Sequence, residues 1–142
     1  MKRVAPAMLP LLVLCGCRGN SEATAFAKQY WDQRMNKCGE TYVVHNLNPN
    51  TSYLEIYECR SPRITALAAD MTNEERIQGF EWIGGASLSC SSIRTKNSAL
   101  DAFSDWEPGG VIDGARITRK NGDWDIKSNR LEKNPDCSLI AK

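Results

Sequence analysis

The sequence predicts an α+β domain in which a curved antiparallel sheet of about five strands carries an N-terminal helix on one face. Three observations carry that reading. Residues 21–38 place Ala23, Ala27, Tyr30, Trp31, Arg34 and Cys38 at spacings of three and four, an amphipathic helical stripe. Several later stretches alternate apolar with polar residues and are rich in β-branched and aromatic side chains, as strands are. The last two stretches flank Lys120-Asn121-Gly122-Asp123, and Asn-Gly favours the positive-φ turn that closes a hairpin. A chain of 142 residues, 42% hydrophobic and 25% charged, has room for one such domain.

The chain opens with Met1-Lys2-Arg3, and no charge follows from Val4 to Cys17. Its core, Met8-Leu9-Pro10-Leu11-Leu12-Val13-Leu14, is strongly apolar. A positive start, a short apolar run and a small residue make an export signal. The run is shorter than the roughly 20 residues a spanning helix needs, and Pro6 and Pro10 each remove a backbone donor. Leu14-Cys15-Gly16-Cys17 resembles the lipobox of bacterial lipoproteins, with Cys17 at the lipidated position and Gly16 before the cut. Cys15 departs from the Ala, Ser or Thr more usual in that motif. The resemblance covers about the first 20 residues. It implies a signal peptide over 1–16 and fatty acyl chains on Cys17. Arg18 stands where the retention signal of enteric bacteria has Asp, which implies an outer-membrane destination facing the periplasm. Residues 17–21 then read as a short polar leash and 22–142 as a single domain.

Four cysteines remain after that signal: Cys38, Cys59, Cys90 and Cys137. An even number in an exported chain reads as two disulfides, with three connectivities open. Zinc would want close cysteine pairs, whereas these spacings are 21, 31 and 47 residues and His45 is the only histidine. A Cys–His catalytic pair would need one cysteine kept reduced. No metal and no cofactor is expected.

The elements follow in order. Ser21 is placed to cap the helix that ends near Cys38, and Gly39 suits the left-handed stop. Residues 40–45 read as a strand, Asn46 to Asn50 as a turn, and Tyr53 to Cys59 as its hairpin partner. The stretch from Arg63 is weakly patterned until Thr72-Asn73-Glu74-Glu75, a capping box for a short helix to Gln78. Residues 80–95 form a long strand with Phe80, Trp82, Gly84, Ala86, Leu88 and Cys90 on one face, bent at Gly84-Gly85. Residues 96–110 read as a structured loop around Phe103 and Trp106. Strands 111–119 and 124–128 close the sheet, and Cys137 pins the tail. One long helix, two strands, a short helix and three strands resemble the cystatin/NTF2-like architecture, whose closing hairpin Asn121-Gly122-Asp123-Trp124-Asp125-Ile126 is similar to. That fold hosts enzymes, binders and assembly modules alike.

The chemistry-bearing residues form no catalytic constellation. Asp101, Asp105 and Glu107 read as a solvated loop, and Asp113, Asp123 and Asp125 with Arg116, Arg119 and Lys120 as cross-strand pairs on a wet face. Ser87, Ser89, Ser91 and Ser92 lack a nucleophile elbow and a base. His45 reads as an ordinary strand residue. With Lys2 and Arg3 removed, sixteen bases face seventeen acids, so no basic face for nucleic acid or anionic lipid is indicated. The expected function is therefore a non-enzymatic, membrane-anchored module for an envelope protein partner, with Trp106 and Phe103 as the candidate contact. Such a module is a secretion or envelope assembly component, or an inhibitor or immunity protein. The alternative is a small-ligand binder or enzyme with a pocket between helix and sheet, lined by Tyr30, Tyr57, Trp82 and Trp124.

Overall fold

The computed structural model describes residues 15–47, 54–97, 102–128 and 131–139. Residues 1–14 of the expected signal peptide 1–16, Asn48–Asn50 of the expected turn Asn46–Asn50, Tyr53 and Asp101 lie outside the described residues. Helix α1 (Cys15–Asp32) precedes strands β1 (Asn36–Cys38), β2 (Thr41–Leu47), β3 (Leu54–Arg60) and β4 (Arg63–Ala68). Helix α2 (Asn73–Ile77), strands β5 (Phe80–Asn97), β6 (Glu107–Lys120) and β7 (Asp123–Ser128), and a 3₁₀ turn (Cys137–Leu139) follow. All seven strands form one antiparallel sheet in the order β1-β2-β3-β5-β6-β7, with β4 continuing beside β5 beyond β3. The sheet curls into a half-barrel, and α1 packs against it. The α+β plan is as expected, with seven strands rather than about five.

The helical stripe packs as its spacing requires. Ala23, Ala27 and Trp31 are fully buried against Val44, Ala66, Trp82, Ala86, Leu88, Ile117 and Leu131. The small alanines let the helix approach the sheet, and Trp31 supplies the bulk. Around them Phe26 stacks on Trp124, and Trp82 tilts against Trp124, each at 5.8 Å. The helix begins earlier than its expected Ser21 cap and ends at Asp32 rather than near Cys38, which belongs to β1. Residues 17–21, expected as a leash, belong to its helical start. Tertiary contacts hold this first part: the Asn20 side-chain oxygen accepts the Ala68 N–H at 3.1 Å, and Gly19 sits so close to the Trp82 indole that a Cβ there would lie 2.9 Å from it.

The capping box forms as the residues dictate. Thr72 Oγ1 accepts the Glu75 N–H, and the Glu75 carboxylate accepts the Thr72 N–H. At the last hairpin Asn121 and Gly122 both take positive φ, +50° and +87°, so the two-residue turn matches the twist of its strands. Both disulfides are defined, Cys38–Cys137 and Cys59–Cys90. The first ties the tail to β1 and so pins the C-terminal segment as expected.

Four expectations are corrected. Arg63–Ala68 is a strand, because residues 54–68 run on past Ser61 in one register along β5. Residues 107–110 belong to β6 rather than to a loop, since Glu107, Pro108 and Gly110 pair with Ile93, Ser92 and Cys90. A Cβ at Gly109 would collide with the Cys90 carbonyl, so the two strands can close only on glycine there. The irregularities of β5 fall at Phe80/Trp82 and Leu88/Ser89, not at Gly84-Gly85. Gly84 is there for packing, because a Cβ would meet the Trp82 ring and the Leu67 carbonyl. The first irregularity takes Phe80 off the Trp82 face and sets it beside Arg116, Thr118 and Lys120.

Candidate functional site

The reading of Asp113 as a wet-face acid is also overturned. Its register partner is Leu88, and it shares a face with the buried Ile117, so it points under the helix. It is 1% exposed, and its Oδ2 accepts the Trp31 indole N–H at 2.7 Å. A buried carboxyl needs hydrogen-bond donors, and the indole supplies one from the helix side. This residue orders the core rather than facing substrate.

Trp106 and Phe103 fall on a built surface. Adjacent residues of β3 point to opposite faces, and both faces are covered: Ile56 and Glu58 are buried on one, Cys59 on the other. Glu58 accepts from Thr41 Oγ1 at 2.6 Å and from Arg94 Nε at 2.5 Å, so the buried carboxylate is paired with β2 and β5 together. That ion pair fixes the Arg94 guanidinium beside the segment 102–106. Phe103 reaches the sheet through a bridge to Lys96. The Ser104 N–H donates to the Thr95 carbonyl at 2.8 Å. The Ser104 hydroxyl accepts the Thr95 N–H at 3.0 Å. Trp106 is thereby half-buried rather than free, with the Arg60 guanidinium stacked 3.7 Å from its ring centre and Arg94 at 5.1 Å. Arg94 also lies 4.7 Å from the Phe103 ring. Two aromatic faces and two arginines so form one layer, in which Arg60 is exposed, as is Asp105 next to Trp106 in the chain.

The residues proposed for a helix–sheet pocket all pack in or against the one core cluster, but they enclose no common hollow among those over the described residues. Trp82 and Trp124 fill the core, and the Tyr30 hydroxyl bonds the Ser128 hydroxyl. Tyr57 lies on β3 beside Glu55. Tyr30 borders a shallow groove of about 250 Å³ with Phe26, Gln33 and Arg34. Trp82 borders a separate hollow of about 430 Å³ with Met71 and Arg76. A larger concavity of about 550 Å³ lies over β6 and β7, lined by Phe80, Arg116, Lys120, Asp123, Asp125 and Lys127. Its charges are mixed and open to water.

The remaining candidates stand as follows. Cys38, Cys59, Cys90 and Cys137 are all oxidised in the two bridges, which leaves none of them as a thiolate. His45 is 6% exposed in β2, with no hydrogen-bond partner at Nε2. Burial holds its pKa below the ordinary histidine value, against the raising influence of Glu132 and Asp136. Ser87 bonds Thr65, and Ser89 and Ser91 donate to the Arg63 and Arg60 carbonyls, so these hydroxyls serve the sheet. Asp105 and Glu107 are exposed. Cys17 lies in the helical start of α1. Among the described residues no helix is long and apolar enough to cross a membrane, and no three His, Cys, Asp or Glu side chains gather as a metal site.

Arg60 and Arg94 were missed as site residues, since they are far apart in sequence and nothing local marks them. Their signal is the β3–β5 register, in which Glu58 faces Arg94 and Arg60 faces Ser92. No family model, curated protein or solved structure matches the chain.

Proposed function

We propose that this chain is a lipid-anchored protein of the bacterial envelope, held through Cys17 at the outer membrane and facing the periplasm. There it acts as a non-enzymatic module that binds another envelope protein. The observation that carries the binding half is the Arg60–Trp106–Arg94–Phe103 layer. Tryptophan and arginine are the residues on which protein contacts concentrate their energy. Here both are held rigid before binding, Trp106 by the stacked guanidiniums and Arg94 by the buried Glu58. Preorganisation lowers the ordering cost of association. The exposed face of Arg60 suits a partner carboxylate. The anchoring half rests on Leu14-Cys15-Gly16-Cys17 after a short apolar run. Three acyl chains, at about 0.8 kcal/mol per buried methylene, make release negligible.

The helix lying on a curled antiparallel sheet supports a place for the domain in the cystatin/NTF2-like architecture. Service in a secretion or envelope assembly, or as an inhibitor or immunity protein, fits such a surface equally. The small-ligand alternative is weaker, because its four pocket residues pack in or against a filled core, and the two that border a hollow, Trp82 and Tyr30, border different ones.

The test is cross-linking of the tagged protein in intact cells, followed by fractionation and capture, with Cys17→Ser and Trp106→Ala beside the wild type. Wild type should sediment with membranes and carry one stoichiometric partner. Cys17→Ser should become soluble, and Trp106→Ala should stay anchored but lose the partner. A Cys17→Ser protein that still sediments refutes the anchor, and a Trp106→Ala protein that keeps the partner refutes the contact.

A further inference from the structure

The geometry points to one end of the domain as a footing on the bilayer, with Leu67 and Ile77 as its apolar contacts. The inference rests on the lipidation of Cys17 proposed above and adds an orientation to it. Cys17 is three residues from Asn20 within α1, about 4.5 Å along a helix axis. Asn20 is bonded to the end of β4 at Ala68, and Gly19 lies on Trp82 near the start of β5. There is thus no leash. A lipid on Cys17 would hold the domain with this end against the membrane.

The same end gathers further segments. The Ala69 N–H donates to the Ile83 carbonyl, α2 leads directly into Gly79, and the Asn121 N–H donates to the Gly79 carbonyl. The end of β4, helix α2, the start of β5 and the β6–β7 turn are therefore neighbours of the helix start. Three large apolar side chains stand out as exposed among the described residues: Leu67 at 69%, Ile77 at 85% and Val111 at 66%. Two of them belong to this end, on β4 and on α2. Leu67 directly precedes the residue that Asn20 holds. Ile77 is the last residue of a capped helix whose charged members are Glu74, Glu75 and Arg76. Charges here are mixed in sign, so the contact draws on apolar side chains and needs no anionic lipid. Val111 lies farther along the sheet, opposite Ser89.

The test uses the lipidated protein, purified from membranes and placed in phosphatidylcholine nanodiscs carrying nitroxide-labelled lipid, with methyl groups observed by NMR. The Leu67 and Ile77 methyl signals should be lost, while the Val111 signals stay. An anchored protein that keeps its Leu67 and Ile77 signals, or that loses Val111 equally, overturns the footing and leaves the lipid anchor standing. A mature Cys17 whose mass carries no acyl chains overturns the anchor and the footing together.

Discussion

Replacing Trp31 by Phe probes the contact that joins helix to sheet at the centre of the fold. The substitution keeps an aromatic ring in a fully buried position but deletes the indole N–H that sits 2.7 Å from Asp113 Oδ2. A buried acceptor left one donor short costs about 1–3 kcal/mol. The smaller ring removes packing worth about 1 kcal/mol, the order of a buried methylene or two. Trp31→Phe should therefore cost about 2–4 kcal/mol. Asp113→Ala approaches the same bond from the other side, stranding the indole donor, at about 1–3 kcal/mol. Because both changes break one bond, the double variant should cost less than their sum by about 1–2 kcal/mol. The assay is urea unfolding of the soluble Cys17→Ser form, disulfides intact, followed by far-UV circular dichroism, since fluorescence would change with the tryptophan itself. Single costs below about 0.5 kcal/mol, or strict additivity, would refute the buried indole–carboxyl bond as the link between α1 and β6.

Other expectations follow from the same structure. Removing Cys38–Cys137, which spans 99 residues, should cost more than removing Cys59–Cys90, which spans 31. Chain-entropy estimates are about 4.7 and about 3.7 kcal/mol, to be read from Cys→Ala pairs in the same unfolding assay. Burial lowers the His45 pKa in the folded state, so below about pH 6.5 the unfolded chain binds the extra proton. Stability should be full above that value and fall on acidification, and His45→Gln should flatten the fall; an unchanged slope in that variant would contradict the cause. Thr72→Ala removes the capping box and should destabilise α2 by about 1 kcal/mol, seen as faster amide exchange at Glu75 and Arg76 with the sheet unaffected.

Local chemistry made much of the fold legible. The Thr72–Glu75 box and Asn121-Gly122 each act within a few residues and formed as read, as did the Ala23/Ala27/Tyr30/Trp31 part of the helical stripe, whose last members, Arg34 and Cys38, lie beyond the helix end at Asp32. What depends on distant partners stayed hidden. Arg63–Ala68 has little strand character of its own and is a strand because β5 is long enough to pair with both β3 and β4. Pro108 and the glycines after it look like a loop, yet Gly109 is required by the nearness of the Cys90 carbonyl. Asp113 read as wet because its neighbours are charged, and it is buried because its register puts it beneath Trp31. Asn20 and Gly19, ahead of the expected cap, meet Ala68 and Trp82, which are far away in sequence. At the candidate site, Trp106 and Phe103 were visible as aromatics in an irregular stretch. The arginines that stack on them were not, because their meeting is a consequence of strand pairing.

The central claim, a partner seated on the Trp106 layer, is tested most directly by a photo-reactive residue at position 105, exposed beside that tryptophan. The control is the same residue at position 123 on the far hairpin. Irradiation of intact cells should give one covalent adduct to a single envelope protein from position 105 and none from position 123. Adducts from both positions, or none from 105 in a protein that is folded and anchored, would contradict the account.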